Sequence, residues 1–323
     1  LVVGALMVLI SAEQSATDGA SSSFELRRMA RGTGALAASM IALIVLNQTN
    51  VLFPGAQQQK TIPPQKPQVV PLSQVKDQVL FTVRVPKRSN TLGPWRLGVL
   101  DVYDGENFLL PPYDPSRFVP AGSNVARYRG QSLNTQFTVT NLDSRLLPDV
   151  AGTEGVDPRG EPLSWDPRTQ TFIDKNTPNS GYSYAVTSVP SPSGDDMRNA
   201  PQPNGDFSTD LSVPPAPAQI TSLLRRAPSN PYERMQFLRQ QLLDNVVGAG
   251  AGEPVPVAPG DVVSMISGGK ASPYQIAAAS VILARWAGVP ARLGYGFYGG
   301  DPISGGFAIR PKYGANWLEA VSY

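Results

Sequence analysis

The stretch Ser272-Pro-Tyr-Gln-Ile-Ala-Ala-Ala-Ser-Val-Ile-Leu-Ala-Arg-Trp-Ala-Gly-Val-Pro-Ala-Arg-Leu-Gly-Tyr-Gly296 decides the fold of the C-terminal part of this chain. Tyr274–Trp286 is rich in alanine and reads as a helix stopped by Gly288, and Arg292–Tyr298 reads as the strand that follows. Ser272 is placed as the N-cap, Pro273 at the first helical position and Gln275 at the third. That spacing forms a capping box, in which side chains satisfy amides that no helical carbonyl reaches.

Working outward, Tyr232–Val247 spaces Met235, Leu238, Leu242, Leu243 and Val246 as one helical face, with Pro231 suited to the first turn. Gly248–Gly260 is a Gly/Pro loop, Asp261–Ile266 a short helix or turn, and Phe307–Arg310 and Trp317–Val321 are further strands. Residues 218–323 therefore read as an α+β domain. Upstream the period changes to two: Val79–Val85, Trp95–Tyr103, Thr135–Thr140 and Tyr182–Thr187 have strand composition, with turns at Asp104-Gly105 and Asn179–Gly181. Residues 76–190 read as a mostly-β domain. Two connectors flank it, the Pro/Gln-rich 55–75 and the Pro/Ser/Asp/Gly-rich 191–217.

The N-terminal segment has a different composition. Residues 1–10 are wholly apolar and read as the end of a transmembrane helix, a cleaved signal peptide being the other reading. Residues 11–31 are a polar loop ending in Arg27, Arg28 and Arg31, and residues 32–54 carry no charge. Twenty-three helical residues rise about 34 Å, enough to span a hydrocarbon core. A buried core helix is the alternative for 32–54, and Asn47-Gln-Thr-Asn50 must lie near the exit interface of a span, which weakens the spanning reading. The basic cluster before this segment places 11–31 in the cytoplasm and everything after about residue 54 outside.

Composition excludes much chemistry. The 323 residues contain no Cys and no His. A disulfide framework, a thiolate nucleophile, cysteine-ligated metals and an imidazole base are all absent. No D-x-D-x-D-G calcium loop is present, and no cofactor motif. With 27 Lys+Arg against 25 Asp+Glu, no single-sign field points to nucleic acid. Asp101 and Asp104 are a conceivable glycosidase pair, but their setting before Gly105 reads as a turn.

The order of these elements resembles the bacterial transglutaminase-like proteins of the TgpA type, which are membrane proteins with an extracytoplasmic transglutaminase core. Residues 228–320 carry the match, most specifically in Leu283-Ala-Arg-Trp-Ala-Gly-Val-Pro-Ala-Arg292, and Trp95-Arg…Tyr103-Asp-Gly105 resembles the β-region before the core. The resemblance implies a papain-like core, a helix packed on an antiparallel sheet. The family opens its helix with G-R-G-Y-C-E-x-F-A and places its base in R-P-x-D-A-H-A-W-x-E. In register with these, Pro273 stands where the nucleophilic Cys is expected, and Ala315 where the His is expected. A third member, an Asp, falls beyond Tyr323. Tyr274, Tyr313, Asn316 and Trp317 are then candidates to line the remnant cleft, and Arg285 and Arg292 to pair with carboxylates such as Glu319 or with a peptide carboxylate.

Three readings follow. The first is a catalytically dead, membrane-anchored module that binds a peptide or envelope polymer, with a MoxR-type ATPase as the partner the resemblance implies. The second keeps enzyme status through Ser272 as nucleophile with Lys270 as base. In the third, the domain serves assembly alone and side chains fill the cleft.

Overall fold

The computed structural model describes residues 62–67, 74–86, 93–114, 117–120, 133–159, 163–174, 176–189, 192, 194–200, 206–250 and 255–321. The expected membrane spans at 1–10 and 32–54 and the loop between them lie outside these residues. Among the described residues no helix is long and apolar enough to cross a membrane.

The N-terminal strands are β1 (Phe81–Arg84), β2 (Trp95–Leu100), β3 (Val102–Tyr103), β4 (Phe108–Leu109), β5 (Val119–Pro120), β6 (Leu133–Val139), β7 (Leu146–Leu147), β8 (Thr153–Asp157), β9 (Leu163–Asp166), β10 (Thr171–Asp174) and β11 (Ser183–Ser188). Helices α1 (Gly194–Arg198), α2 (Ser208–Leu211), α3 (Ala218–Arg226) and α4 (Pro231–Asn245) follow. Next come β12 (Val247–Gly248), α5 (Pro259–Ile266), β13 (Lys270–Ala271) and α6 (Pro273–Trp286). The last strands are β14 (Ala291–Phe297), β15 (Asp301–Ile303), β16 (Gly306–Ile309) and β17 (Gly314–Ala320). The class is α+β, as expected.

Helix α6 is the centre of one core. Every residue from Ala277 to Arg285 is buried. A helix enclosed on all sides needs small residues where its neighbours approach closely, and the alanines at 277, 278, 279 and 284 supply them. Leu238 and Leu242 of α4, Ile220 of α3, Val262 of α5 and Leu293 of β14 pack around it. The second core is aromatic, with Phe81, Trp95, Phe137, Phe172 and Tyr184 almost fully enclosed. Along β1 the alternation is strict: Phe81 and Val83 are buried, Thr82 is half-buried and Arg84 exposed, the period of a strand with one wet face.

The segments 76–190 and 218–323 exchange strands. The six-stranded sheet has the order β15-β16-β1-β6-β11-β8, so β1 lies between β6 and the late strand β16. Phe81 pairs with Val139 on one side and with Ile309 on the other. Reciprocally, β2 joins β14 and β17 in an antiparallel three-stranded sheet, of order β17-β14-β2. The cores follow the strands: Leu100, Tyr103 and Phe108 belong to the α6 cluster, and Phe297 and Ile309 to the aromatic one. Thr61–Tyr323 is accordingly one compact unit.

Both connectors are more ordered than their composition suggests. Within 55–75, Ile62 and Gln65 bridge to Tyr113 and Leu110. Within 191–217, two short helices form, and Val213 and Ala216 pack on the α6 core. On α4 the expected apolar face is only partly used: Met235, Leu238 and Leu242 are buried, whereas Leu243 is exposed.

Candidate functional site

The start of α6 is closed by its own side chains. The Ser272 hydroxyl accepts from the Gln275 amide at 3.3 Å, and Gln275 Oε1 accepts from the Ser272 amide at 2.9 Å. Pro273 occupies the first helical position, is exposed and has no N–H to offer. A thiol at a helix N-terminus gains acidity from the free amides and the helix dipole. Here the capping box engages part of that amide set. Ser272 is buried, while Lys270 on β13 is exposed.

Ala315 lies near the start of β17 and pairs with Gly296 of β14 in a register that runs regularly from Ala291↔Ala320 to Phe297↔Gly314. Leu318 and Ala320 pack against the α6 core. Alternation therefore places Asn316 on that face, and Ala315, Trp317 and Glu319 on the other. Asn316 Nδ2 donates to the Gly294 carbonyl at 3.5 Å, and Trp317 Nε1 donates to Glu319 Oε1 at 3.1 Å. Tyr313 ends the turn Pro311–Tyr313 and donates its hydroxyl to Asp301, with Lys312 above its ring. Tyr274 is half-buried against the α6 core, and burial pushes its phenol up. The four cleft candidates thus divide: Tyr274 belongs to the helix core, Tyr313 packs on the aromatic core, and Asn316 and Trp317 sit on opposite faces of β17.

The most developed polar constellation lies on the face of Trp317 and Glu319. Arg96 of β2 donates Nε to Glu319 Oε1 at 2.8 Å, and Arg292 of β14 donates Nε to Glu319 Oε2 at 3.1 Å. Burial raises the Glu319 carboxyl, but the two guanidinium groups outweigh it and hold it below the usual range. Arg96 also reaches the carbonyls of Thr169 and Gln170. Its contact with Asp149 is long, 3.4 Å, and Asp149 Oδ1 is buried without a partner among the described residues. Burial consequently dominates at Asp149 and pushes its carboxyl up to about 8, against the pull of Arg96. Of the two acids beside Arg96, Glu319 is the ionised one at neutral pH.

Two sequence expectations change here. Among the described residues Arg285 pairs with no carboxylate side chain; it donates to the carbonyls of Ala291, Ser212 and Asp101, because its position near the end of α6 meets the ends of β14, α2 and β2 rather than the carboxylates of β17. Burial pushes its guanidinium down to about 10. Asp104 is the turn residue expected, accepting from the amides of Glu106 and Asn107. Asp101 is not: it is buried and ion-paired to Arg168. Arg96, Asp149, Arg168 and Asp210 were not singled out from sequence. The one local signal was an arginine inside the apolar run Trp95–Leu100, which a two-sided buried strand tolerates only with a partner.

Residues 218–322 match the model of the transglutaminase-like superfamily, and that segment is a transglutaminase-like domain. The chain also has the fold of the periplasmic domain of TgpA from Pseudomonas aeruginosa, with 18% identity over 78% of this chain and 88% of that one and a TM-score of 0.54. The same domain bound to ethylmercury aligns at 16% identity over 78% and 90%, also with a TM-score of 0.54. Among curated proteins there is no match.

Proposed function

We propose that this protein is a membrane-anchored, extracytoplasmic transglutaminase-like pseudoenzyme, a module that binds or scaffolds in the cell envelope. The observation that carries the reading is the start of α6. Where the family's nucleophile is expected, the chain has Pro273 inside a completed capping box, and no thiol or imidazole exists anywhere in the sequence. The uncharged segment 32–54, preceded by three arginines, supports an anchor with the folded part outside, and the likeness to a periplasmic domain agrees with that side. The ligand class we assign to the remnant cleft is a peptide or envelope polymer, and a MoxR-type ATPase is the partner on the cytoplasmic side.

The serine-enzyme alternative receives no support from the geometry, since the Ser272 hydroxyl is buried and engaged in the cap. The test is direct. The purified protein and its Ser272→Ala variant are assayed for amide hydrolysis and for acyl transfer to an amine. We expect neither activity in either protein; turnover that disappears with Ser272→Ala would overturn the reading. A Pro273→Cys/Ala315→His variant tests the alignment. Alternation puts residue 315 on the face of β17 away from the α6 core. Thiol alkylation against pH should therefore show an ordinary thiol, at about 8.5, and a strongly acidic one would mean that the two positions face each other after all.

A further inference from the structure

Helix α2 carries a buried carboxyl group with one oxygen unpartnered among the described residues. Asp210 is 6% exposed, and its Oδ1 has no hydrogen-bond partner among the described residues. Each element packed on α2 presents a charged or titratable group. Arg292 comes from β14, Arg285 from α6, Asp101 from the end of β2 and Arg168 from the turn between β9 and β10. From β3 comes Tyr103, whose hydroxyl is shared between the carbonyls of Gly105 and Val257.

The three arginines attract Asp210 without serving it. Arg285 has all three kinds of guanidinium nitrogen on carbonyl oxygens. Arg292 gives its nitrogens to Glu319, the Arg168 carbonyl and Gln170. Arg168 holds Asp101 with Nη2, and its Nη1 is buried without a partner among the described residues, as is Asp101 Oδ1. On ionisation Oδ1 of Asp210 thus carries charge away from water with no hydrogen bond among the described residues, which disfavours the charged form more than the neutral one.

The same segment is tied to the core on the other side of Asp210. Arg285 donates to the Ser212 carbonyl at 2.8 Å, and Trp286 Nε1 to the Pro214 carbonyl at 2.8 Å. Val213 and Ala216 pack on the α6 core. Residues 206–217 therefore form a strap across the C-terminal end of α6. We propose that Asp210 is a proton-operated latch for this strap: protonated, it lets the strap dock, and ionised, it loosens it.

The sign follows from burial, which raises the carboxyl of Asp210, with the like charge of Asp101 adding to it against the three arginines. A raised acid stabilises docking fully below the ordinary carboxylate range, and that stabilisation is lost as pH rises through the raised value. The test is amide hydrogen exchange of residues 206–217 in the whole chain at pH 5 and pH 8, corrected for intrinsic rates. Opening of the strap should increase with pH, up to about tenfold per pH unit inside the window, while amides of Ala278–Leu283 in α6 stay protected. Asp210→Asn, neutral at every pH, should keep the strap protected at both. Asp101→Asn removes the like charge and should move the transition to lower pH. A strap whose corrected exchange is the same at both pH values overturns the proposal. So does an Asp210→Asn variant that keeps the wild-type pH dependence. If that variant fails to fold, an unshifted transition in Asp101→Asn has the same force.

Discussion

At the scale of the residue, Ser272 and Gln275 exchange a side-chain oxygen for a backbone amide, each serving the other. Removing the hydroxyl leaves one helix-start amide without its acceptor. Ser272→Ala should therefore cost about 1 kcal/mol in denaturant unfolding and leave ligand binding unchanged. Asp149 makes a second, pH-dependent prediction. Its carboxyl is pushed from 3.8 up to about 8 by burial, so its contribution is complete below about pH 4 and lost as pH rises through about 8. Thermal melts should show a fall in stability between about pH 4 and pH 8, levelling above that. Asp149→Asn, which keeps the shape and never ionises, should flatten it. The capping box was legible because its parts are adjacent in sequence and its spacing is local. The Asp149–Arg96–Glu319 constellation was not, since its members come from three distant segments and their burial is set by sheets formed elsewhere.

At the scale of the element, β17 shows what two-faced packing requires. Its helix side carries Leu318 and Ala320 into the α6 core, and its other side carries Glu319 between two buried arginines. Truncating the shared acid strands both guanidinium groups. We expect Glu319→Ala to destabilise by about 3–5 kcal/mol, the usual cost of an uncompensated buried charge, as measured by urea unfolding. Glu319→Gln should recover part of this by keeping an acceptor for Arg96 or Arg292. Strands and helices with a clear period were readable to within about two residues: Phe81–Arg84 against Val79–Val85, and Pro273–Trp286 against Tyr274–Trp286. Helix α3 (Ala218–Arg226) was not anticipated as an element, nor was the docked segment from Ser208 to Ala216. Their order depends on Arg285, Trp286 and the apolar core beneath, which no local propensity reports.

At the scale of the molecule, the exchange of β1 and β2 with the C-terminal strands makes one cooperative body from two compositional regions. Near-ultraviolet circular dichroism reports largely on the aromatic core and far-ultraviolet on the helices. In a chain of residues 61–323 the two signals should lose intensity in one coincident transition. A fragment ending at residue 190 lacks β16 beside β1 and β14 beside β2, and should fail to show cooperative unfolding. The composition shift near residue 190 was visible in the sequence, and it marks a change of secondary structure. That it does not separate two bodies depends on which strand pairs with which. The decisive pairings, Phe81↔Ile309 and Leu100↔Leu293, join residues that no turn signal links.

The position of β1 also has a consequence for biogenesis. When β1 has been synthesised, the end of its partner β16 is still about 225 residues from being made, a delay of roughly 10–45 s at ordinary elongation rates. Meanwhile β1 can pair with β6 once that strand appears, but its other edge, between the buried Phe81 and Val83, stays open. An unpaired apolar strand edge is a template for association with other chains. The nascent protein therefore passes through a stage in which this edge is open to association, and completion of the C-terminal strands ends that exposure.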